Sequence, residues 1–187
     1  MAVESLLLPE VWDFAQRQIW VVLLFLVGVA FSASASFRRE RESGALELLL
    51  VCPLSVAQVI TGRLRGIWMQ FLPSGALLTM CLVISAQIER YTSEAPMVWA
   101  VMFSALVSLP IIGLYFSLYR IHFLSAWLLT LLFGIIIPFF ISASATMLLE
   151  VENLVYGLVL AEFTLAVLFW RLLYHRLESR RFAFAHV

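Results

Sequence analysis

Long apolar runs alternate with short polar segments along this chain, and each run is long enough to cross a membrane as a helix. A helix needs about 20 mostly apolar residues to span a hydrocarbon core about 30 Å thick. The four runs without a charged residue contain 20, 23, 25 and 29 residues, at 18–37, 66–88, 95–119 and 121–149. A fifth run, 153–170, contains one carboxylate, Glu162. The pattern predicts an all-α, polytopic membrane protein with about five transmembrane helices.

The chain is predicted to form a single transmembrane domain, 1–187, in which the spans alternate with short connections. The predicted spans are 19–37, 67–87, 97–119, 121–148 and 153–173. We assign 1–18 to an outer interfacial segment, because it lacks the basic start and the small-residue cleavage site of a signal peptide. A charged loop at 38–66 and a tail at 174–187 are predicted on the opposite side of the membrane.

Composition supports the membrane assignment and narrows the classes of partner. Hydrophobic residues make up 63% of the chain and charged residues 13%, and the mean hydropathy is +1.00. A soluble domain has about 25% charged residues, so the chain is not one. The formal net charge is zero, which predicts no nucleic-acid partner. The two cysteines, Cys52 and Cys81, do not form the pattern of a disulfide framework.

The arginines predict how the helices are oriented, because short cytoplasmic loops retain positive charge during insertion. All 12 basic residues are arginines. Ten of them fall on the same side as the loop 38–66, and two, Arg17 and Arg90, fall on the other. We therefore expect the loop and the C-terminus in the cytoplasm and the N-terminus outside. The expected location is the cell membrane, as a multi-pass protein of a bacterial inner membrane.

The charged loop is predicted to contain two helices with an elbow between them. In the first, Leu46, Leu49 and Leu50 fall on one helical face and Glu47 lies off it, a pattern typical of a short amphipathic helix. Pro53 ends this helix, because proline removes a backbone donor. The loop therefore presents an apolar and charged face to the cytoplasm, where we expect a partner to bind.

The second helix of the loop is predicted to begin after Ser55. Ser55 and Gln58 have the spacing of a capping box, and Leu54 and Val59 have that of a hydrophobic staple. The helix then continues through Arg63 into the second span. A loop that served only to anchor the protein would need neither the capping box nor the elbow between two helices.

The stretch "ERESGALELLLVCPLS", followed by "VITGR", resembles the cytoplasmic signature of ABC-2 type transporter permeases. That signature has Glu-Arg-Glu, Gly-Thr-Leu-Glu, a pair of leucines, Pro-Leu-Ser and Gly-Lys in this order. Ala45 stands here in place of the threonine and Arg63 in place of the lysine. The matching residues that the resemblance assigns to ATPase coupling are Glu40, Arg41, Glu42, Gly44, Leu46, Glu47, Pro53, Ser55, Gly62 and Arg63.

The resemblance implies a permease subunit of an ATP-binding cassette transporter, and the transporter is expected to be an exporter. The loop would be the coupling helix that meets a separate ABC ATPase subunit. A second permease half, identical or different, would complete the pathway in the lipid membrane. ATP and Mg²⁺ would bind to the ATPase, so this chain is expected to bind no cofactor itself and to be no enzyme.

The place of the motif differs from that in the family. Family members have six spans in each half, with the motif after the second, whereas the motif here follows the first predicted span. We expect one of three explanations. Met1 is not the true start, or the chain is the later part of a longer permease, or a partner supplies the missing helix.

Three other functions are alternatives to a permease. One is a membrane scaffold or assembly protein without transport, and another is a permease similar to the haem exporter of cytochrome c maturation. The third is an intramembrane hydrolase, which would need two facing polar residues at mid-depth. The chain has no lysine for a Walker-type loop, and its three histidines are scattered, at His122, His175 and His186. We therefore predict no catalytic residue and no metal site.

Glu162 is a candidate intramembrane polar site, since it is the one acidic residue within a predicted span and lies near its middle. A charge near the middle of the bilayer costs about 2.5–3.5 kcal/mol on insertion scales. The carboxyl group is therefore protonated, paired or in contact with water. Two hypotheses follow: a residue of a transport pathway, and a protonated carboxyl group hydrogen-bonded to a neighbouring helix.

Two further patterns concern how the spans pack. Gly28, Ser32 and Ser36 form a stripe of small residues on the first span, where another helix is expected to approach closely. Each of the next three spans contains a proline that interrupts helical hydrogen bonding: Pro73, Pro110 and Pro138. Gly134 precedes Pro138 in "FGIIIPFF", so the fourth span is expected to be the most broken.

Overall fold

The computed structural model describes residues 4–38, 40, 43, 55–88, 95–149 and 154–179. Within these ranges the chain forms helices joined by short turns, and no β-strand. The helices are α1 (Glu4–Ala35), α2 (Val56–Ile88), α3 (Ala95–Ser117), α4 (Phe123–Leu131), a π-helical segment (Leu132–Ile136), α5 (Ile137–Leu149) and α6 (Leu154–Glu178). The predicted all-α class is confirmed.

Among the residues that the structure describes, four helical stretches are long and apolar enough to cross a membrane. They are Val56–Ile84, Trp99–Ser117, Phe123–Ser144 and Val155–Glu178. The apolar part of α1, Ile19–Ala35, has at most 17 residues and falls short of that length. The described helices are therefore compatible with a multi-pass membrane protein, and the count of five spans stays a prediction.

The helix boundaries differ from the predicted spans at two places. The predicted second span began at residue 67, but α2 begins at Val56 and runs without a break to Ile88. The loop helix that was predicted after Ser55 is therefore the first part of α2, as expected. The backbone of the predicted interfacial segment is also helical from Glu4, and it continues directly into the apolar part of α1.

Helix α3 lies at the centre of the bundle. Within its apolar window 67% of the residues are buried by the rest of the chain, against 11% for α2. Its principal neighbours are α1 and α6. The sequence of α3 has no charged residue from Ala95 to Ser117, so it can be buried on every side without cost from unpaired charge.

Close contact between α1 and α3 requires small residues at the crossing. A Cβ atom on Gly113 would lie 2.5 Å from Cβ of Ala33 and 3.2 Å from its carbonyl carbon. Ala30 and Ala33 are fully buried on the same face of α1. Helices in lipid associate largely through such close van der Waals packing, so this crossing is a principal source of stability.

The fourth predicted span is broken where the sequence indicated. The amide of Ile137 donates to the carbonyl of Leu132, five residues earlier, which is the hydrogen bond of a π-helix. In a regular α-helix the ring of Pro138 would clash with the carbonyl of Gly134. The wider turn removes that clash, and the predicted interruption at Gly134 and Pro138 is confirmed.

The proline of α3 is accommodated in a different way, by a side chain from α2. Pro110 has no N–H, so the carbonyl of Leu106 lacks its usual partner four residues later. The indole Nε1 of Trp68 donates to this carbonyl at 3.1 Å. Because an unpaired carbonyl is costly in hydrocarbon, this bond fixes where α2 meets α3.

We expect Gly113→Ala to lower the thermal stability of the detergent-purified protein. The added methyl group would overlap Ala33, and overpacking of this kind costs about 1–3 kcal/mol. Gly66→Ala is the matched control, since a Cβ there would meet no atom within 4 Å. Adding Ala33→Gly to the Gly113→Ala variant should restore part of the loss. Equal melting temperatures for Gly113→Ala and Gly66→Ala would contradict the close contact between α1 and α3 at Gly113.

A double-mutant cycle tests the bond between Trp68 and Leu106. Trp68→Phe should destabilise the protein by about 1 kcal/mol, because it leaves the Leu106 carbonyl without a donor. In a Pro110→Ala background the amide of residue 110 can donate to that carbonyl, so the cost of Trp68→Phe should fall towards zero. Chemical denaturation in detergent measures both values, and additive costs would show that the indole serves only as apolar surface.

Candidate functional site at the base of the charged loop

The end of α1 meets the starts of α2 and α4 through contacts between arginines and aromatic rings. The guanidinium carbon of Arg63, near the start of α2, lies 5.3 Å from the centroid of the Phe37 ring, just after α1. That of Arg38 lies 5.6 Å from the ring centroid of Phe123, the first residue of α4. Cation–π contacts of this kind contribute about 0.5–1 kcal/mol at exposed sites. They bring three helix ends together.

The ends of α3 and α6 meet in the same manner. The guanidinium carbon of Arg176, in the last turn of α6, lies 3.6 Å from the ring centroid of Tyr119, just after α3. The hydroxyl groups of Tyr119 and Tyr115 are hydrogen-bonded to each other at 2.6 Å. We call this side of the bundle, defined by Arg38, Arg63 and Arg176, the arginine-rich end.

Helix α2 begins with the predicted capping box. The amide of Ser55 donates to Oε1 of Gln58 at 2.9 Å, and the amide of Gln58 donates to Oγ of Ser55 at 3.3 Å. Each side chain thus satisfies a backbone donor that the first turn of a helix leaves without a partner. The prediction of a capping box is confirmed. The predicted staple involves Leu54, which lies outside the described residues.

An ion pair joins the two ends of the motif across the base of the loop. The guanidinium group of Arg63 donates to Oε1 of Glu40. The side chains of Arg63 and Glu40 are 30% and 24% exposed, so solvent screens the pair only in part, and pairs near the surface contribute about 0.2–1 kcal/mol. The fully buried ring of Phe37 supports the same guanidinium group.

The remaining coupling residues of the motif divide into one that the structure describes and six that lie outside the described residues. Gly62 is exposed, and a Cβ there would meet no atom within 4 Å, so packing within the chain does not require glycine. The six others are Arg41, Glu42, Gly44, Leu46, Glu47 and Pro53. The amphipathic helix and the elbow at Pro53 therefore stay predictions.

Glu162 lies deep in the interface between α6 and α3. It is 2% exposed, and its carboxyl group lies near the hydroxyl group of Ser104 on α3, which donates to the carbonyl of Ala100 at 2.8 Å. Oε2 of Glu162 is buried and has no hydrogen-bond partner within the described part of the chain. The carboxyl group therefore does not face open water within the described bundle, and both hypotheses for Glu162 stay predictions.

The predicted small-residue stripe faces α2. Ser32 donates to Oε1 of Gln70 at 3.2 Å, and a Cβ on Gly28 would lie 3.6 Å from the ring of Phe71. Ser36 lies in the turn after α1, where its amide donates to the carbonyl of Ala33. The closest crossing of α1 is on the neighbouring face, at Ala33 and Gly113, which the sequence pattern had not indicated.

The arginine–aromatic contacts were also missed from the sequence. In the sequence, Arg38 and Arg176 indicate only how the helices are oriented, and the aromatic residues Phe37, Tyr119 and Phe123 indicate no role. A signal was present, because each of these aromatic residues lies beside a predicted span end that also has an arginine. Their pairing across different helices could not be read from local spacing.

Comparison with known proteins gives no identification. No protein-family model, no curated protein and no solved structure matches the chain. Among the described residues there is no group of three histidine, cysteine or acidic side chains that would hold a metal ion. The described chain is all-helical and has four helices long and apolar enough to cross a membrane, which is compatible with a multi-pass membrane protein, and any more particular identity belongs to a proposal.

A double-mutant cycle should reveal the ion pair at the base of the loop. We expect Glu40→Gln and Arg63→Gln to be non-additive in thermal stability, with a coupling energy of about 0.5–1 kcal/mol. Arg65→Gln is the matched control, because Arg65 is exposed on α2 only two residues away. Additive effects of Glu40→Gln and Arg63→Gln would contradict the pair, as would equal coupling of Glu40 to Arg65.

Proposed function

We propose that this chain is the permease subunit of an ATP-binding cassette exporter and that its loop 38–66 couples the membrane helices to a separate ATPase subunit. The motif at residues 40–63 suggests the family. One observation carries the coupling role: Glu40 and Arg63, at the two ends of the motif, form an ion pair. The pair ties the end of α1 to the start of α2, so a force on the loop acts on both helices.

Within this proposal the motif residues have two kinds of role. Glu40 and Arg63 are positioning residues, because their charged groups bind each other across the loop base. Arg41, Glu42 and Glu47 contact the ATPase, where their charges meet the rim of its docking cleft. Gly62 leaves an open surface on α2 beside the loop, which gives the partner room to approach.

The contacts at the arginine-rich end suggest how a push on the loop reaches the interior of the bundle. The contact of Arg38 with Phe123 links the end of α1 to the start of α4. Helix α4 continues into the π-helical segment, where hydrogen bonding is irregular and bending costs little. A displacement of the loop therefore tilts α4 relative to α5. This tilt switches the pathway between access from the inside and access from the outside of the membrane.

The rest of the transporter lies on other chains in this proposal. ATP and Mg²⁺ bind to the ATPase, which closes on nucleotide and pushes the loop. A second permease half, identical or different, completes the pathway in a bacterial inner membrane, with the loop and the C-terminus in the cytoplasm and the N-terminus outside. This chain supplies the membrane helices and no catalytic residue.

Affinity purification tests the proposal. The tagged chain, solubilised in mild detergent, should retain an ABC ATPase subunit that mass spectrometry identifies by its Walker motif. Glu42→Ala combined with Glu47→Ala should lower the recovery of the ATPase at least about tenfold, since each charged contact contributes about 1.5–3 kcal/mol. Glu178→Ala is the control, because Glu178 is an exposed carboxylate at the same end of the bundle and outside the motif.

The positioning pair gives a second arm to this experiment. Glu40→Arg alone and Arg63→Glu alone should each reduce ATPase recovery, and the combined swap should restore it, because the pair is rebuilt with opposite polarity. The proposal fails if no ATPase is recovered with the wild-type chain. It also fails if the Glu42 and Glu47 variant keeps the same partners, which is the behaviour of a scaffold protein.

A further inference from the structure

A groove lies on the outside of the bundle between α4 and α6, next to the arginine-rich end. Its volume is about 450 Å³, within the range of about 300–1,000 Å³ typical of small-molecule sites. Rings of Tyr115, Phe116 and Phe169 line it, together with aliphatic side chains. Leu168 and Leu172 in its wall are 50% and 40% exposed. The groove is therefore open to the surroundings of the helices, which are lipid chains where α6 crosses the membrane.

The groove is elongated along the helix axes. Leu165 and Leu172 both line it, and seven residues of α6 extend about 10 Å. Leu129 on α4 and Phe133 in the π-helical segment line the other side. An almost wholly apolar space that follows the helices over this distance matches a hydrocarbon chain better than a polar solute.

Polar groups gather at one end of this apolar groove. Tyr115 and Tyr119 line it and place two hydroxyl groups there, 2.6 Å apart. The guanidinium group of Arg176 lies over the Tyr119 ring. The guanidinium group also interacts with the hydroxyl group of Tyr115. Its Nε is buried without a hydrogen-bond partner in the described part of the chain, and no described carboxylate forms an ion pair with it. Among the described residues the cation is thus held by aromatic side chains and has no carboxylate partner.

We propose that this groove binds an acidic phospholipid, with an acyl chain between α4 and α6 and its phosphate group at Arg176 and the tyrosine hydroxyls. The charge of Arg176 favours an anionic headgroup, and guanidinium groups bind phosphate through strong, charge-assisted hydrogen bonds. Basic residues at a membrane surface attract acidic lipids by about 1 kcal/mol each. The site requires only a helical bundle in a membrane, so it stands or falls independently of the proposed transport.

Native mass spectrometry of the purified chain tests the charge of the headgroup. The probes are phosphatidylglycerol and phosphatidylcholine with identical acyl chains, added to detergent micelles. The wild-type chain should retain phosphatidylglycerol about tenfold more strongly, the difference that one charged hydrogen bond provides. Arg176→Gln should abolish this preference. Arg171→Gln should keep it, because Arg171 is an exposed arginine on the same helix, five residues from Arg176.

A second pair of variants tests the acyl chain. Leu168→Trp fills the groove and should reduce retention of both lipids several-fold, whereas Leu160→Trp, at an exposed position of α6 that does not line the groove, should not. Each variant must elute as the wild type does, and Leu172→Phe replaces Leu168→Trp if that variant aggregates. The proposal is overturned if Arg176→Gln and Arg171→Gln lose the lipid preference equally, or if Leu168→Trp retains both lipids as the wild type does. It is also overturned if millimolar inorganic phosphate displaces the lipid.

Discussion

The need to pair every backbone carbonyl group in hydrocarbon shapes much of this bundle. Prolines within three of the apolar helical stretches leave carbonyl groups without their helical partner, and no water is present in a membrane core to replace the lost bonds. At Pro110 the neighbouring helix supplies the missing donor, through the indole of Trp68. At Pro138 the helix itself changes, because a π-helical turn separates the ring from the preceding carbonyl. The position of α2 against α3 and the break between α4 and α5 both follow from this constraint.

The elements of the fold could be predicted from the sequence because their signals are local. The length of the uncharged runs located the helices, and Ser55 with Gln58 marked the start of α2 through a spacing of three residues. The proline after Gly134 marked the break. The packing of α1 was not predictable in the same way, because Gly28 with Ser32 and Ala30 with Ala33 offer two adjacent rows of small residues. Only the facing Gly113 decides between them.

The candidate site shows a similar division between local and distant signals. The motif itself was visible in the sequence, and so was the arginine excess on one side. The partner of Glu40 was not, because Arg63 is 23 residues away and competes with other nearby arginines. The same holds for the contact of Arg176 with Tyr119, which depends on how α6 crosses α3. Such pairs arise from tertiary packing, which local spacing along the chain does not reveal.

The π-helical segment has a consequence for the outer half of the same span. The π-helical turn between Leu132 and Ile137 contains one residue more than a regular α-helical turn. One residue corresponds to about 100° of rotation in an α-helix. Every side chain of α5 is therefore displaced by this angle from the face that periodicity would assign to it. That rotation is what carries Ser142, fully buried, to the surface of α6 beside Gly157. Removal of one residue from this segment would turn the hydroxyl group of Ser142 towards lipid without changing one residue of α5.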